Sequence, residues 1–438
     1  MSLTATLNIA TSGLLANQQA LAATSENIAN VNTENFSRRD VDFIADAVPG
    51  QFSGVRADVA REGANRFLQA SAFDARSDDA ASRAVADALA RVEASLGAPG
   101  DNLSFANALA DAFAAFATLA ATPSSTAARA DAVSRLDAAF ASFNATLDAI
   151  DAESAQALAG LQDDVAATNA LLEDLFALNR IAPESGGAGD QIDAGLAELA
   201  DNLPIVVTRD ETGRASVTTT TGLTLLDGNG FATLAADPGP PAAVTLGGAD
   251  LSADLSGGAF GGAISLLNDR LPAVATIVSD AATAAADAIN AAYAQNAAVG
   301  DGAPVSADLV VTADGRFGVD PGVVAAPETL AIARPETGLT AGANDGRGAA
   351  AIAELGAGAA GAAARDAVAL SAADAGAAAS DATRNEAFRS EIETRLLSDG
   401  GVNLDEELSN LILFQRSFGA NARIITAVDE LWQTLLAI

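Results

Sequence analysis

The chain of 438 residues carries 57 acidic residues against 23 basic ones, so its formal net charge is −34, and it contains no lysine, histidine or cysteine. This acidity argues against nucleic acid or a membrane surface as a partner, because both bind clustered positive charge. The missing residue types exclude a Ser-His-Asp triad, a cysteine or lysine nucleophile, a P-loop lysine and a His/Cys zinc site, which leaves carboxylate chemistry of the glycosidase kind as the enzymatic possibility.

The first predicted element is an amphipathic helix from Leu3 to Ile28. Residues spaced alternately four and three positions apart lie on one side of this helix, and we call this row of residues its seam. The seam is apolar except at Asn17 and Thr24, which are polar breaks. The seam consists of Leu3, Leu7, Ala10, Leu14, Asn17, Leu21, Thr24 and Ile28. Asn30 and Asn32 then predict a turn. The segment lacks the cationic start of a signal peptide, so we expect none, and no apolar stretch along the chain is long enough to predict a transmembrane helix.

The next part of the chain predicts an extended segment followed by helical rods. Residues 40–60 are expected to be extended, and helices are predicted over 65–96, 103–121 and 124–179. The last of these keeps a period close to 3.5 residues and would span on the order of 80 Å at 1.5 Å per residue. We therefore expect an elongated molecule.

The character of the sequence changes at Leu203. Short alternating segments separated by Gly and Asp turns predict a β-rich module over 203–258. Helix returns over 264–295, where Pro272 is expected to cause a kink or break. Short strands are predicted near 310 and 318, and the Gly- and Ala-rich region after 335 gives no clear pattern until helices over 365–398 and 404–438.

The last predicted helix repeats the design of the first. Its seam consists of Leu404, Leu408, Leu411, Gln415, Phe418, Ala422, Ile425, Asp429, Trp432 and Leu436, again with two polar breaks. Such seams belong either to the core of a single chain or to an assembly interface. A seam at each terminus has little chain left to cover it, so we expect the two helices to pair and further burial to occur between subunits.

These elements predict a mainly α fold with a β-rich insert, in an elongated multi-domain protein with paired terminal coiled-coil helices, a long helical-rod domain and an outer β-domain. The predicted domains are a terminal coiled-coil domain (1–35 and 403–438), a discontinuous helical rod domain (36–202 and 259–402, irregular at 300–360) and a β-rich outer domain (203–258). Paired acids and Gly-rich runs fit solvated helix surface and turns, so we predict no catalytic, cofactor or metal site.

Two terminal motifs resemble a known family. Leu14 with residues 17–21 and 27–33 resembles the N-terminal signature of the flagellar rod, hook and hook-associated axial proteins. Residues 36–39, Phe-Ser-Arg-Arg, resemble the Tyr-Ser-Arg-Gln of the hook-associated protein 1 branch, and residues 401–422 resemble its C-terminal signature. The usual Pro-Gly before the aromatic is Glu-Asn here, so the turn after the first helix is expected to differ in shape.

The resemblance implies a structural subunit without enzymatic activity, located outside the cell at the junction between hook and filament. It implies a ring-like assembly with other copies of the chain, contacting the hook protein on one side and the second junction protein or the filament on the other. It also implies secretion through the flagellar type III channel without a cleaved signal, escorted by a cytoplasmic chaperone that binds near the C-terminus.

The predicted assembly interface follows from the seams and the signatures together. Its N-terminal members are Leu3, Leu7, Leu14, Leu21, Asn27, Ile28, Asn30, Asn32, Phe36, Ser37 and Arg38, and its C-terminal members are Leu404, Leu408, Leu411, Phe418, Ile425, Trp432 and Leu435. Polar breaks in a seam can set register between subunits, which is the role expected of Asn17, Thr24, Gln415 and Asp429. The alternatives are another axial protein, such as a hook or distal rod subunit, and an enzymatic or carbohydrate-binding β-module on a structural frame.

Overall fold

The computed structural model describes residues 3–31, 33, 36, 38–48, 51–61, 66–97, 104–181, 187–210, 213–252, 255–301, 303–335, 340–400 and 402–436. The helices are α1 (Leu3–Ala29), α2 (Arg66–Leu96), α3 (Phe105–Ala121), α4 (Thr126–Arg180), α5 (Gly187–Asn202), α6 (Gly258–Ser265), α7 (Leu271–Tyr293), α8 (Pro321–Ala325), α9 (Arg347–Glu354), α10 (Ala359–Gly400) and α11 (Leu404–Leu436). The strands are β1 (Arg39–Val48), β2 (Gln51–Arg61), β3 (Val206–Arg209), β4 (Ala215–Thr218), β5 (Thr224–Leu226), β6 (Leu234–Asp237), β7 (Ala243–Leu246), β8 (Ala249–Asp250), β9 (Val310–Ala313) and β10 (Arg316–Val319).

Most predicted elements are present, and the mainly α fold with small β-sheets is confirmed. Helices α3 and α4 begin and end within two residues of their predicted bounds. The predicted extended segment is a two-stranded antiparallel hairpin of β1 and β2, and the predicted β-module contains two three-stranded sheets, ordered β3-β4-β5 and β6-β7-β8. Helices α5, α8 and α9 were not predicted, and α6 begins at Gly258, before the helical segment that was predicted from residue 264.

The break expected at Pro272 lies just before this proline. A π-helical turn, Leu266–Arg270, joins α6 to α7. Pro272 is the second residue of α7, and the backbone before it is already helical, because Ser265, Leu266, Arg270 and Leu271 all have right-handed helical φ and ψ angles. The helical run is therefore continuous from α6 to α7, and the π-helical turn directly before the proline is the expected interruption.

The chain folds into two compact units, the first of residues 1–79, 166–234 and 385–438 and the second of residues 80–165 and 235–384. A hydrophobic core fills the second unit. Phe105 of α3 stacks on Phe143 of α4 with ring centroids 4.3 Å apart, and Phe140 lies 6.1 Å from Phe317 of β10. The periodic apolar residues of α4 in this unit are thus core residues.

Asparagine side chains on helices hold the backbone of neighbouring segments in both units. In each case the amide oxygen accepts a hydrogen bond from the backbone N–H of one residue and the amide nitrogen donates to the carbonyl of the same residue. The pairs are Asn27–Arg39, Asn169–Leu234 and Asn179–Ala215 in the first unit and Asn144–Phe317, Asn268–Ala242 and Asn290–Val310 in the second. The asparagine amide thus satisfies backbone groups that have no ladder partner.

Replacing one amide by a carboxylate tests this arrangement. In Asn179→Asp the group that donates to the Ala215 carbonyl at 2.7 Å becomes an acceptor, in a buried position. We expect a loss of about 1–3 kcal/mol in the free energy of unfolding. Urea unfolding followed by circular dichroism measures it, and Asn8→Asp, an equal charge change on the exposed side of α1, is the control. Equal stability of the two variants would contradict the prediction.

Candidate assembly surface at the paired terminal helices

Helices α1 and α11 pack against each other in antiparallel directions. Gly13 of α1 lies against Asn421 in the middle of α11, so that a Cβ atom at Gly13 would be 2.8 Å from the Asn421 Nδ2 atom. Arg38, which follows α1 in the chain, reaches Glu407 in the first turn of α11. The two ends of the chain, separated by more than 360 residues, therefore form one element.

The buried stripe of α1 consists of small and polar residues. Its members recur at steps of three and four: Ala10, Gly13, Asn17, Ala20, Thr24 and Asn27. The predicted polar breaks Asn17 and Thr24 thus lie in the stripe, whereas Leu3, Leu7, Leu14, Leu21 and Ile28 are only half-buried. Small side chains allow the partner backbone to approach closely, which explains why the larger seam residues lie beside the stripe instead of at its centre.

On α11 the face that contacts α1 is not the predicted seam. Every second residue of this face lies one position before the corresponding residue of the seam. Glu407 and Val428 are buried, and Asn421 shares their seven-residue spacing. The predicted residues Leu411, Phe418 and Ile425 are half-buried at the intervening positions of the same heptad. Gln415 and Asp429 are exposed, so within one copy they lie outside the contact with α1, and the register role expected of them between subunits stays a prediction.

The remaining predicted residues of α11 are solvent-exposed. Leu404, Leu408, Trp432 and Leu435 have 42–61% of their surface exposed, and several apolar neighbours are exposed as well: Ile412, Leu413, Ile424, Leu431 and Leu436. On α1, Leu15 is 55% exposed. A helix pair with this much exposed apolar surface is typical of an interaction surface.

An ion-pair cluster fixes the start of α11. The Arg38 Nε atom donates to Glu407 at 2.7 Å and an Arg38 terminal nitrogen donates to Glu406 at 3.0 Å. Burial acts to lower the pKa of Arg38, but the hydrogen bonds and charges of the two glutamates outweigh it and raise that pKa above its ordinary value. Asn403 caps the helix by accepting from the Asp405 N–H at 3.1 Å, and the three acidic residues of the first turn complement the helix dipole.

The asparagine signature shapes the chain between α1 and the hairpin. Asn27 is buried and holds both backbone groups of Arg39, at 2.7 and 2.9 Å. Arg39 pairs with Asp190 of α5, and its guanidinium lies 5.1 Å from the centre of the Phe36 ring. Asn30 donates to the Glu26 carbonyl at 2.9 Å. These contacts direct the chain so that Arg38 reaches α11.

Two predicted site residues, Asn32 and Ser37, lie outside the described residues. The residues that the predicted site did not include are Gly13, Glu407 and Asn421. Gly13 and Asn421 gave no hydrophobic signal, although Glu407 and Asn421 fall within the C-terminal motif. Within the described ranges no three acidic residues are placed to hold a metal ion, and none of the helices there has the length and apolar character to cross a membrane.

Models of known protein families match three parts of the chain. The family model of the flagellar hook-associated protein FlgK helical domain matches residues 89–308, half of the chain. The chain belongs to the FlgK family of flagellar hook-associated proteins. The models of the flagella basal body rod protein and of the flagellar basal body rod FlgEFG protein C-terminal match residues 7–36 and 397–438. The predicted membership of the hook-associated branch is thereby confirmed.

A solved structure has a similar fold. It is that of the flagellar hook junction protein FlgK from Burkholderia pseudomallei, with 21% sequence identity and a TM-score of 0.50. The match covers 57% of this chain and 47% of that one, so the chain spans about half the length of the solved protein. No curated protein sequence matches the chain.

The three family models match different parts of the chain. The terminal matches cover α1 and α11 and carry the names of rod proteins, whereas the FlgK-specific match covers α3 to α7. The FlgK family consists of structural proteins of the flagellum. The terminal pair is therefore the part of this FlgK-family chain that is similar to rod proteins, and the middle distinguishes it from them.

The close approach of α1 and α11 can be tested at Gly13. In Gly13→Leu the new side chain must displace Asn421, and we expect this overpacking to weaken the pairing by about 2 kcal/mol, or roughly 30-fold in the population of separated helices. Trypsin cleavage after Arg416 and Arg423 reports that population. Gly419→Leu, whose Cβ would meet open space, is the matched control. Equal cleavage rates for both variants would contradict the prediction.

Proposed function

We propose that the chain is a structural subunit that joins the hook of the bacterial flagellum to its filament and assembles through its terminal helices. The family supplies the flagellar, structural part of this proposal. The similarity to a flagellar hook junction protein, the one solved from Burkholderia pseudomallei, supports the junction part.

One observation carries the assembly mechanism: the paired helices retain exposed apolar residues. Each leucine side chain moved from water into a packed interface stabilises it by about 1.5–3 kcal/mol. We infer that the exposed residues of α11, including the predicted Leu404, Leu408, Trp432 and Leu435, are covered by neighbouring copies. In this proposal residues 1–35 and 403–438 form the inner coiled-coil domain of a ring-like assembly, with the helical rods and the β-module (203–258) outside it.

We further propose a route of export for the chain and its partners inside and outside the cell. A chain that reaches the cell exterior through the narrow type III channel travels unfolded, and its exposed apolar α11 would need a chaperone in the cytoplasm. The expected contacts outside the cell are the hook protein and the second junction protein or filament. No membrane, nucleic acid, cofactor or metal is part of the proposed function, and neither is catalysis.

Immunogold electron microscopy of flagella tests the location. Antibody against the chain should label one band between hook and filament on each flagellum. The terminal matches to rod proteins favour a rod or hook subunit as the second candidate. Labelling along the hook or at its base would support that candidate and overturn the junction.

A further inference from the structure

The outward face of α11 carries arginines with no ion-pair partner among the described residues. Arg416 and Arg423 are exposed and seven residues apart, two positions after Phe414 and Asn421 on the contact face, which places them away from α1. Neither has an acidic residue three or four positions away on the helix. Ile412, 49% exposed, lies one turn before Arg416.

The outward face of the β1–β2 hairpin has the opposite charge. Residues 41, 43, 55, 57 and 59 share the face on which Phe43 contacts Phe414 and Ala57 is buried. The other face carries Asp40, Asp42, Ile44 and Asp46 on β1 and Arg56 and Asp58 on β2, all exposed. Asp42 lies directly opposite Asp58, and two like charges in this position destabilise a strand pair.

We propose that the outward hairpin face of one copy docks on the outward face of α11 of a second copy, with Ile44 against Ile412 and with Asp42, Asp58 and Asp40 facing Arg416 and Arg423. The spacings agree. Ile44 and Asp42 are two residues apart, about 7 Å on a strand, and Ile412 and Arg416 are four residues apart, about 6 Å on a helix. Asp40 lies about 13 Å from Ile44 and Arg423 about 16 Å from Ile412, a difference that the arginine side chain can span.

A single chain cannot make this contact with itself. The hairpin already packs on its own helices through the opposite face, where the Phe43 and Phe414 rings are 5.7 Å apart. Every copy therefore offers one hairpin face and one α11 face to two different neighbours. Such head-to-tail contacts generate rings or helical arrays, and opposite charges fix the register between copies.

A charge-swap experiment tests the pairing, which rests on the proposed assembly. Arg416→Asp/Arg423→Asp and Asp42→Arg/Asp58→Arg are each expected to lower the number of copies on flagella about tenfold, and their combination is expected to restore it to within about threefold of the native chain. Arg384→Asp/Arg395→Asp, exposed on α10, makes the same charge change as the first pair and should leave assembly unchanged. Circular dichroism and secretion into the medium control for folding and export.

The absence of native cysteine allows a direct test of the contact. In a chain with both Ile44→Cys and Ile412→Cys, oxidation of intact flagella should produce a ladder of disulfide-linked copies, because a disulfide requires Cβ atoms within about 4.5 Å. Ile44→Cys with Leu370→Cys, which is also exposed, should give no ladder. Normal flagella without a ladder, or a combined charge swap as defective as its parents, would overturn the pairing. Absence of the native chain from the junction would instead overturn the proposed function.

Discussion

A chain truncated after Asn403 is expected to remain folded outside the terminal pair and to fail to connect filaments to hooks. The truncation removes α11 and with it the apolar side chains that neighbouring copies are proposed to cover. Because these leucines are about half-exposed in one copy, covering each contributes about 0.8–1.5 kcal/mol, so loss of four from each interface costs about 3–6 kcal/mol, or more than about a hundredfold in association. The measurement is the number of filaments per cell, by electron microscopy, in a strain that lacks its own copy of the gene.

Truncation also exposes the buried stripe of α1 from Ala10 to Asn27, which could by itself impair the protein. Point variants of α11 test assembly without exposing this stripe. Leu431→Ser/Leu435→Ser removes two side chains of α11 that are 53% and 61% exposed, so the fold of one copy should be unaffected. Leu370→Ser/Leu397→Ser removes two similarly exposed leucines from α10. Only the first pair should reduce filament number, and filaments at native level on the truncated chain would refute assembly through α11.

A helix could be predicted from the sequence where turn-forming residues stand at both of its ends and apolar residues repeat along one of its faces. For α4, Pro123 stands before the start, and apolar residues such as Leu136 and Phe143 repeat along the core face. Helix α5 has the apolar face, since Ile192, Leu196 and Leu199 recur at steps of four and three, but no signal marks its start, because it begins Gly-Ala-Gly and glycine is a poor helix former. The helix forms through tertiary contacts, among them the burial of Ile192 and Leu196.

The terminal pair could be predicted as a pair but not in its register. A search for apolar periodicity selects leucines, and on α11 many leucines are the exposed residues. The contact face instead uses Gly13 and Ala20 on α1 and Glu407 and Asn421 on α11, which a hydrophobic pattern passes over. Exposed leucines that match the period are expected when a helix has a second partner outside the chain.

The contacts of the motif residues could not be predicted from the sequence either. The sequence singled out Asn27 and Arg38 by resemblance, without assigning contacts to them. The structure shows Asn27 holding the backbone of Arg39, and Arg38 bonded to a residue 369 positions away. Contacts over such separations leave no local pattern, so they follow only from the folded chain.

Removal of the Arg38 side chain is expected to release the start of α11. Glu407 is buried, and in Arg38→Ala its carboxylate loses the 2.7 Å hydrogen bond and the compensating charge. Breaking a buried pair from one side costs about 3 kcal/mol, because the remaining charge is left without a partner in a site shielded from water. Hydrogen exchange of the α11 amides in the isolated chain should therefore accelerate by roughly a hundredfold.

Two controls distinguish this effect from a general loss of charge. Arg395→Ala breaks an exposed pair with Glu391 on α10 and should change local stability by less than about 0.5 kcal/mol. Arg38→Ala/Glu407→Gln removes both charges, and it should recover part of the protection of α11, because a neutral amide costs less to bury than an unpaired carboxylate. If Arg38→Ala exchanged no faster than Arg395→Ala, the pair would not hold the two ends together. If the double variant exchanged as fast as Arg38→Ala, the unpaired charge would not be the cause.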